Sequence, residues 1–131
     1  MSARLPVFIL FLFLTTDSCT KNNSVPAGNL DMLQHKWILV SRNGEALRYV
    51  GQPGDYFDFD TNGTLIEYLS NTNDSFDYTL SGKTLSLYPV LKGIHSTVGQ
   101  NYHVDVLTDS ELIFSFHSPN PPVNAVDSLR R

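Results

Sequence analysis

From Trp37 onward, apolar and polar residues alternate with a period of two, and turn-forming residues interrupt the alternation every eight to fifteen positions. In the segment DYFDFD (55–60), the two phenylalanines point to one face and the aspartates between them to the other. This is the period of a β-strand with one buried and one solvated face, not the period of a helix. The pattern therefore predicts an antiparallel all-β domain.

Seven strands are predicted in this region. They cover residues 36–42, 55–60, 64–70, 75–81, 84–90, 101–107 and 111–117. Residues 30–35 are expected to form a short helical turn before the first strand. Segments 43–54 and 91–100 are predicted loops, and residues 123–131 are open between a short strand, a short helix and an irregular tail.

A chain of 131 residues buries about two thirds of its unfolded surface, which is enough for one domain, expected over residues 30–131. Seven to eight strands in up-and-down order would leave unpaired edges if the sheet stayed open. Closure pairs those edges. The predicted fold is therefore a small up-and-down antiparallel β-barrel.

The alternation also predicts which side chains point into the barrel. They are Phe57, Phe59, Phe76, Tyr78, Leu80, Leu85, Leu87, Tyr102, Val104, Val106, Leu112, Phe114 and Phe116. Inward tyrosines need hydrogen-bond partners for their hydroxyl groups, and a cavity that holds water or a ligand supplies them. We therefore expect a narrow pocket near one mouth, bordered by Tyr78 and Tyr102, with Trp37 packed at the other end. The candidate ligand-binding residues are Tyr78, Tyr102, Phe57, Phe59, Phe76 and Phe114.

The first residues have the order of a secretory signal. Arg4 supplies positive charge, and the apolar stretch 5–14 is too short for a membrane-spanning helix, which needs ~20 residues. Small and polar residues then lead to Cys19, an order that resembles the signal of bacterial lipoproteins, which are cut before an acylated cysteine. Residues 1–18 are thus the expected signal, Cys19 the lipidation site, and 19–29 a polar tether. An ordinary secretion signal and an uncleaved membrane anchor remain open alternatives.

Charge and motifs argue against several classes of function. The net charge is −4 and the basic residues do not cluster, apart from the two terminal arginines, so no nucleic-acid surface is expected. The sequence contains no recognisable catalytic triad or phosphate loop, and we expect neither an enzyme nor a cofactor. The four aspartates at positions 55, 58, 60 and 77 are expected to keep the outer face soluble.

Two histidines on neighbouring predicted strands required a geometric test for a metal site. If TDS (108–110) forms a three-residue loop with Val106 opposite Phe114, then His103 lies opposite His117 on the outer face, with Asp105 opposite Ser115. A zinc site would need a third strong ligand from elsewhere. The pattern therefore favours solvated histidines, and no metal is predicted.

Four segments together resemble one protein family. LQHKWILVS, YFDFDTNGTL, YTLSGKTLSL and LTDSELIF are similar in order and spacing to the lipocalin-like lipoproteins of the Bacteroidetes, over about residues 30–117. The resemblance implies a barrel that is closed near the helical turn and Trp37 and open to a cavity at the other end. His35 stands where classical lipocalins carry glycine.

Two functions follow as expectations for a protein anchored in the cell envelope, with the outer membrane as the expected location. The first is a binding module for a small apolar or amphipathic molecule. The second is an interaction protein with a filled core that docks on another envelope protein through loops 43–54 and 91–100. The state of the barrel interior distinguishes them, because a small barrel filled by side chains has no room for a ligand.

Overall fold

The computed structural model describes residues 29–44, 48–119 and 122–131. The predicted signal 1–18, the lipidation site Cys19 and the tether up to residue 28 lie outside the described residues and stay predictions. Within the described ranges, no helix is both long and apolar enough to cross a bilayer.

The described residues form one short helix and ten strands. These are α1 (Leu30–Leu33), β1 (Lys36–Gly44), β2 (Arg48–Val50), β3 (Tyr56–Phe59), β4 (Thr64–Leu69), β5 (Thr72–Ser81), β6 (Thr84–Leu91), β7 (Ile94–His95), β8 (Gln100–Leu107), β9 (Glu111–Pro119) and β10 (Pro122–Arg130). The predicted helical turn and the seven predicted strands are confirmed. Each of the two predicted loops contains a short strand, β2 or β7.

Eight of the strands close into an antiparallel barrel. The order around the barrel is β1-β3-β4-β5-β6-β8-β9-β10, and β10 pairs again with β1 through Ile38 opposite Arg130 and Leu39 opposite Leu129. Strand β2 pairs with β1 beyond β3, and β7 pairs with β6. The segment left open by the sequence is therefore the eighth strand, and its pairing removes the two edges of the sheet.

Helix α1 covers one end of the barrel, which we call the closed end. The Asn29 side chain accepts a hydrogen bond from the Met32 amide at 3.3 Å and caps the helix. Leu33 and Trp37 are fully buried, and the Trp37 indole N–H donates to the Leu33 carbonyl at 2.9 Å. Trp37 is thus the predicted plug of this end. The open end is the opposite one, where the β4–β5 turn (70–71) and the segment 92–99 lie.

Most of the predicted inward side chains form the core. The buried members are Phe57, Phe59, Tyr78, Leu85, Leu87, Val104, Leu112 and Phe114. Phe76, Tyr102 and Phe116 occupy inner-face positions too, because they pair with or alternate with buried residues, but they remain partly exposed. The inward side chains are therefore fully buried in one part of the barrel and partly exposed in another.

A β-bulge in β8 overturns the predicted register of the last hairpin. Val104, not Val106, lies opposite Phe114, and the pairing shifts between Val104 and Val106. The extra residue turns the strand, so Leu107 is buried while the predicted inward residue Val106 is not.

The same bulge separates the two histidines that the sequence placed opposite each other. His103 lies opposite Ser115, so the predicted pairs of His103 with His117 and of Asp105 with Ser115 are wrong.

Asp55 also departs from its predicted place on the outer face. It is buried, and its carboxylate accepts hydrogen bonds from the Tyr49 hydroxyl and from the amides of Gln52 at 2.7 Å and Ser70 at 2.9 Å. Burial alone would raise the pKa of Asp55, but these hydrogen bonds outweigh it and lower that pKa. The carboxylate fastens the segment between β2 and β3 to the β4–β5 turn.

Candidate functional site

A second β-bulge brings a charged residue into the barrel. The register of β1 with β10 shifts between Leu39 and Ser41, after which Arg42 lies opposite Asp127. Paired residues in a sheet share a face, and Asp127 is buried with its neighbour Leu129 on the inner face. Arg42 therefore points into the lumen, although simple alternation from Trp37 would place it outside.

Arg42 forms an ionic cluster with two carboxylates. Its Nε and Nη2 donate to Asp127 at 2.7 and 2.9 Å, and its Nη1 and Nη2 donate to Glu67 at 3.1 and 3.3 Å. Such two-point pairs fix the planes of both partners. The side chains of Arg42, Glu67 and Asp127 are 28%, 12% and 5% exposed. We call these three residues the lumen triad.

One guanidinium does not neutralise the carboxylates around it. Burial would lower the pKa of Arg42, but hydrogen bonds and attraction from Asp127 and Glu67 outweigh burial and raise it. Burial raises the pKa of Glu67 despite the opposing Arg42, and repulsion from Asp127 and Asp74 contributes to the rise. With both carboxylates ionised, the triad carries one net negative charge inside the barrel.

Aromatic rings continue from the triad along the inner face. The Arg42 guanidinium lies 5.6 Å from the Phe57 ring centre, and Phe57 meets Phe114 edge-on at 5.9 Å. Tyr102 contacts Phe114 and Phe116, each with ring centres 5.5 Å apart. Burial, together with repulsion from Asp127, raises the pKa of Tyr102 to about 12. The hydroxyl is neutral at pH 7 and donates to the Gln100 side chain at 3.0 Å.

Exposure along this face shows where solvent reaches the lumen. Phe57 and Phe114 are buried, whereas Phe76, Tyr102, Phe116 and the Arg42 side chain are partly exposed although they point inward. Their partial exposure indicates that solvent reaches the inner face in this region, and Tyr102 also lines a cleft beside β8. We call the region of the lumen triad, Phe76, Tyr102 and Phe116 the open half of the lumen.

The predicted ligand-binding residues divide between the two ends. Tyr102 and Phe76 are inward and partly exposed, whereas Phe57 and Phe114 are inward and buried. Phe59 and Tyr78 lie at the closed end, where their rings meet edge-on at 5.1 Å. Tyr78 therefore does not border a pocket together with Tyr102, and this part of the prediction is wrong.

The hydrogen bonds of Tyr78 explain its position. Its hydroxyl donates to the Asp60 carbonyl at 2.5 Å, and its amide donates to the Gly63 carbonyl at 2.9 Å, both in the β3–β4 turn. Alternation gives the face of a side chain but not its height in a barrel of tilted strands.

The lumen triad was missed by sequence reasoning, and one of its members carried a readable signal. Glu67 shares the inner face of β4 with Leu65 and Leu69, so a carboxylate at an inward position was visible in TLIEYLS (64–70). Arg42 was hidden by the bulge. Asp127 lies in a segment whose conformation was left open.

A cleft on the outer face contains the two histidines considered for a metal. Strands β8 and β9 pair only up to His103 and Ser115, and beyond this point a cleft of about 330 Å³ is lined by Thr84, Asn101, Tyr102, His103, Ser115 and His117. His117 Nδ1 is hydrogen-bonded to the Asn124 side chain. Within residues 29–44, 48–119 and 122–131, no group of three or more His, Cys, Asp or Glu side chains is placed to hold a metal ion.

Comparison with known proteins adds no further assignment. No protein-family model matches the chain, and neither does any curated protein or solved structure.

Proposed function

We propose that this protein is a lipid-anchored envelope protein with a lipocalin-like barrel that binds a small amphipathic molecule in the open half of its lumen. The apolar part of the ligand packs on Tyr102, Phe116 and Phe76. Its polar part reaches the lumen triad. The observation that carries the proposal is the partial exposure of inward aromatic rings directly beside a charged cluster. Ligand sites combine an apolar lining with a few convergent polar groups in this way.

The anchor in this proposal is the acylated Cys19. Multiple acyl chains on one cysteine give a durable attachment, whereas a single chain binds a membrane only marginally. The polar segment 20–28 would connect it to Asn29, which lies at the closed end. The open end would then face away from the anchoring bilayer, with its mouth accessible to a ligand.

Native mass spectrometry of the protein purified from its own host tests ligand binding directly. A second test uses the fluorescent probe N-phenyl-1-naphthylamine with the full-length Cys19→Ser chain, which cannot be acylated. Tyr102→Ala is expected to weaken probe binding at least about tenfold, because a ring that contacts two other aromatic rings is lost from the lumen. Tyr68→Ala is the matched control, since Tyr68 stacks on Tyr56 at 5.2 Å on the outer face. Equal probe binding by both variants would contradict the proposal.

A different observation favours the second candidate, an interaction protein. Leu91, Ile94 and Val98 are 70%, 74% and 78% exposed; Leu91 ends β6, the other two follow in the β6–β8 connection, and all three belong to a segment predicted to dock. Clustered exposed aliphatic side chains mark interaction surfaces more often than scattered ones do. A photo-crosslinking residue in place of Ile94 is expected to trap one defined envelope protein in the host. The same residue in place of Thr79, which is exposed on β5, is expected to trap none.

A further inference from the structure

We propose that the ligand of the open half of the lumen is an organic cation with an apolar tail, of the class of protonated alkylamines. Its ammonium group binds beside Glu67 and Asp127, and its tail lies on Tyr102 and Phe116. This inference rests on the proposed ligand-binding function and assigns the chemical class of the ligand.

The charge on the inner face supports a cation. Asp74 lies opposite Glu67 on the same face of β4 and β5, so three carboxylates share this face with the guanidinium of Arg42. Two other basic side chains lie away from this face, whereas Lys92 lies in the exposed turn between β6 and β7 at the open end. The Lys36 ammonium sits 3.6 Å above the Tyr56 ring on the outer face, and Arg131 covers Trp37 at the closed end. An ammonium group in the open half would bring the local charge closer to zero, at a site where burial strengthens electrostatic interactions.

The hydrogen bonds of the triad leave acceptor capacity for such a group. Each of the four carboxylate oxygens of Glu67 and Asp127 accepts one bond from Arg42. A carboxylate oxygen has two lone pairs, so each of these oxygens can accept a further donor. Glu67 is the more exposed of the two, at 12%, and is therefore the more accessible of the two to an ammonium group that enters from the open end.

Arg42 is poorly available to an anionic ligand. Four of its five N–H groups already donate to Asp127 and Glu67, so an anion could reach only the remaining N–H of Nη1 unless it displaced a buried carboxylate. The rings of Tyr102 and Phe116 act in the same direction, because the face of an aromatic ring attracts cations.

The experiment compares three single-chain amphiphiles with the same ten-carbon tail: decylammonium, decyl sulfate and the neutral decyl maltoside. Each competes below its micelle concentration with N-phenyl-1-naphthylamine for the full-length Cys19→Ser chain at pH 7. Decylammonium is expected to bind at least about tenfold more tightly than decyl sulfate, since one charge-assisted hydrogen bond contributes that much. Decyl maltoside is expected to lie between them.

Two variants identify the carboxylates as the cause. Glu67→Gln and Asp74→Asn are each expected to reduce the preference for decylammonium over decyl sulfate by about threefold or more. Asp74 is exposed, so this variant keeps the fold even if the change inside the triad does not. Glu111→Gln is the matched control, because Glu111 is exposed at the start of β9 at the closed end and is expected to leave the preference unchanged.

The outcomes separate the two proposals. If none of the three amphiphiles displaces the probe, the ligand-binding function itself is overturned. If decyl sulfate binds as tightly as decylammonium, or if both carboxylate variants keep the full preference, the binding function stands and the cationic class is wrong.

Discussion

Replacing Arg42 with methionine tests whether the lumen triad is a coupled ionic unit. Methionine keeps most of the aliphatic stem of arginine but removes the guanidinium that donates to both carboxylates. Asp127 and Glu67 are then left together inside the barrel, 5% and 12% exposed, where water cannot fully replace the lost donors. The variant is therefore expected to be destabilised at neutral pH.

The size of the effect can be bounded from both sides. Removing one partner of a buried ion pair costs about 3–5 kcal/mol, and the 28% exposure of Arg42 reduces that cost. A buried carboxylate that has lost its Arg42 partner can also become neutral by binding a proton, which from an ordinary pKa of about 3.9 costs about 4 kcal/mol at pH 7. We therefore expect Arg42→Met to lower the free energy of unfolding by about 2–4 kcal/mol at pH 7. At pH 4 protonation is nearly free, so the loss should fall to about 1 kcal/mol.

Urea unfolding followed by the fluorescence of Trp37 measures this effect, because Trp37 is the single tryptophan and is fully buried. A loss of about 3 kcal/mol moves the midpoint by about 2 M in a protein of this size. The control is Arg130→Met, since Arg130 is exposed on the outer face of β10, where substitutions usually change stability by less than about 0.5 kcal/mol. A loss below about 1 kcal/mol at pH 7, or an equal loss at pH 4 and pH 7, would refute the coupled triad.

Three further predictions concern other parts of the chain. Gly51→Ala should lower the free energy of unfolding by about 3 kcal/mol in the same urea assay, because its Cβ would lie 2.0 Å from the Leu39 carbonyl oxygen. Gly93→Ala is the control: it has open space around it and should cost only about 1 kcal/mol, for its positive φ. The pKa of Asp55 is lowered in the folded protein, so its carboxylate contributes stability above pH 3.8 that is lost as the pH falls through the pKa of the folded state. Asp55→Asn should therefore be less stable than wild type at pH 7 and should lose less of its free energy of unfolding on acidification. If both proteins lose the same amount of stability between pH 7 and low pH, this prediction is contradicted. Cys19→Ala should release the protein from the membrane fraction of host cells and block processing at residue 19, and an unchanged fractionation would contradict lipidation.

The faces of most strands were predictable because burial on one side of a sheet imposes a period of two. Phe57, Phe59 and Leu85 follow that period directly and are buried as predicted. Trp37 was expected to plug one end and does so, through a hydrogen bond to the helical turn that precedes it. These features depend on local pattern, which a sequence displays.

Height along the barrel and contacts between distant segments were not predictable in the same way. Tyr78 and Tyr102 have the same inward pattern, yet one lies at the closed end and the other faces the open half. Asp55 reads as a surface residue in DYFDFD, but the amides of Gln52 and Ser70 form an acceptor site around it that only the folded chain assembles. Such positions depend on stagger between strands and on turns that meet in space.

The two bulges explain why the candidate site was harder to predict than the fold. In WILV (37–40) both alternating sets of residues are apolar, so an extra residue at the bulge changes the face of everything after it without breaking the pattern. Val40 is left 43% exposed and Arg42 turns inward to meet Asp127. The amide of Gly51 donates to the Val40 carbonyl at 2.9 Å, so the segment after β2 supports the bulge. The bulge in β1 costs a hydrogen bond of the sheet but brings the Arg42 guanidinium into the lumen. Bulges are expected where a β-protein must turn inward a side chain that regular alternation would point to solvent.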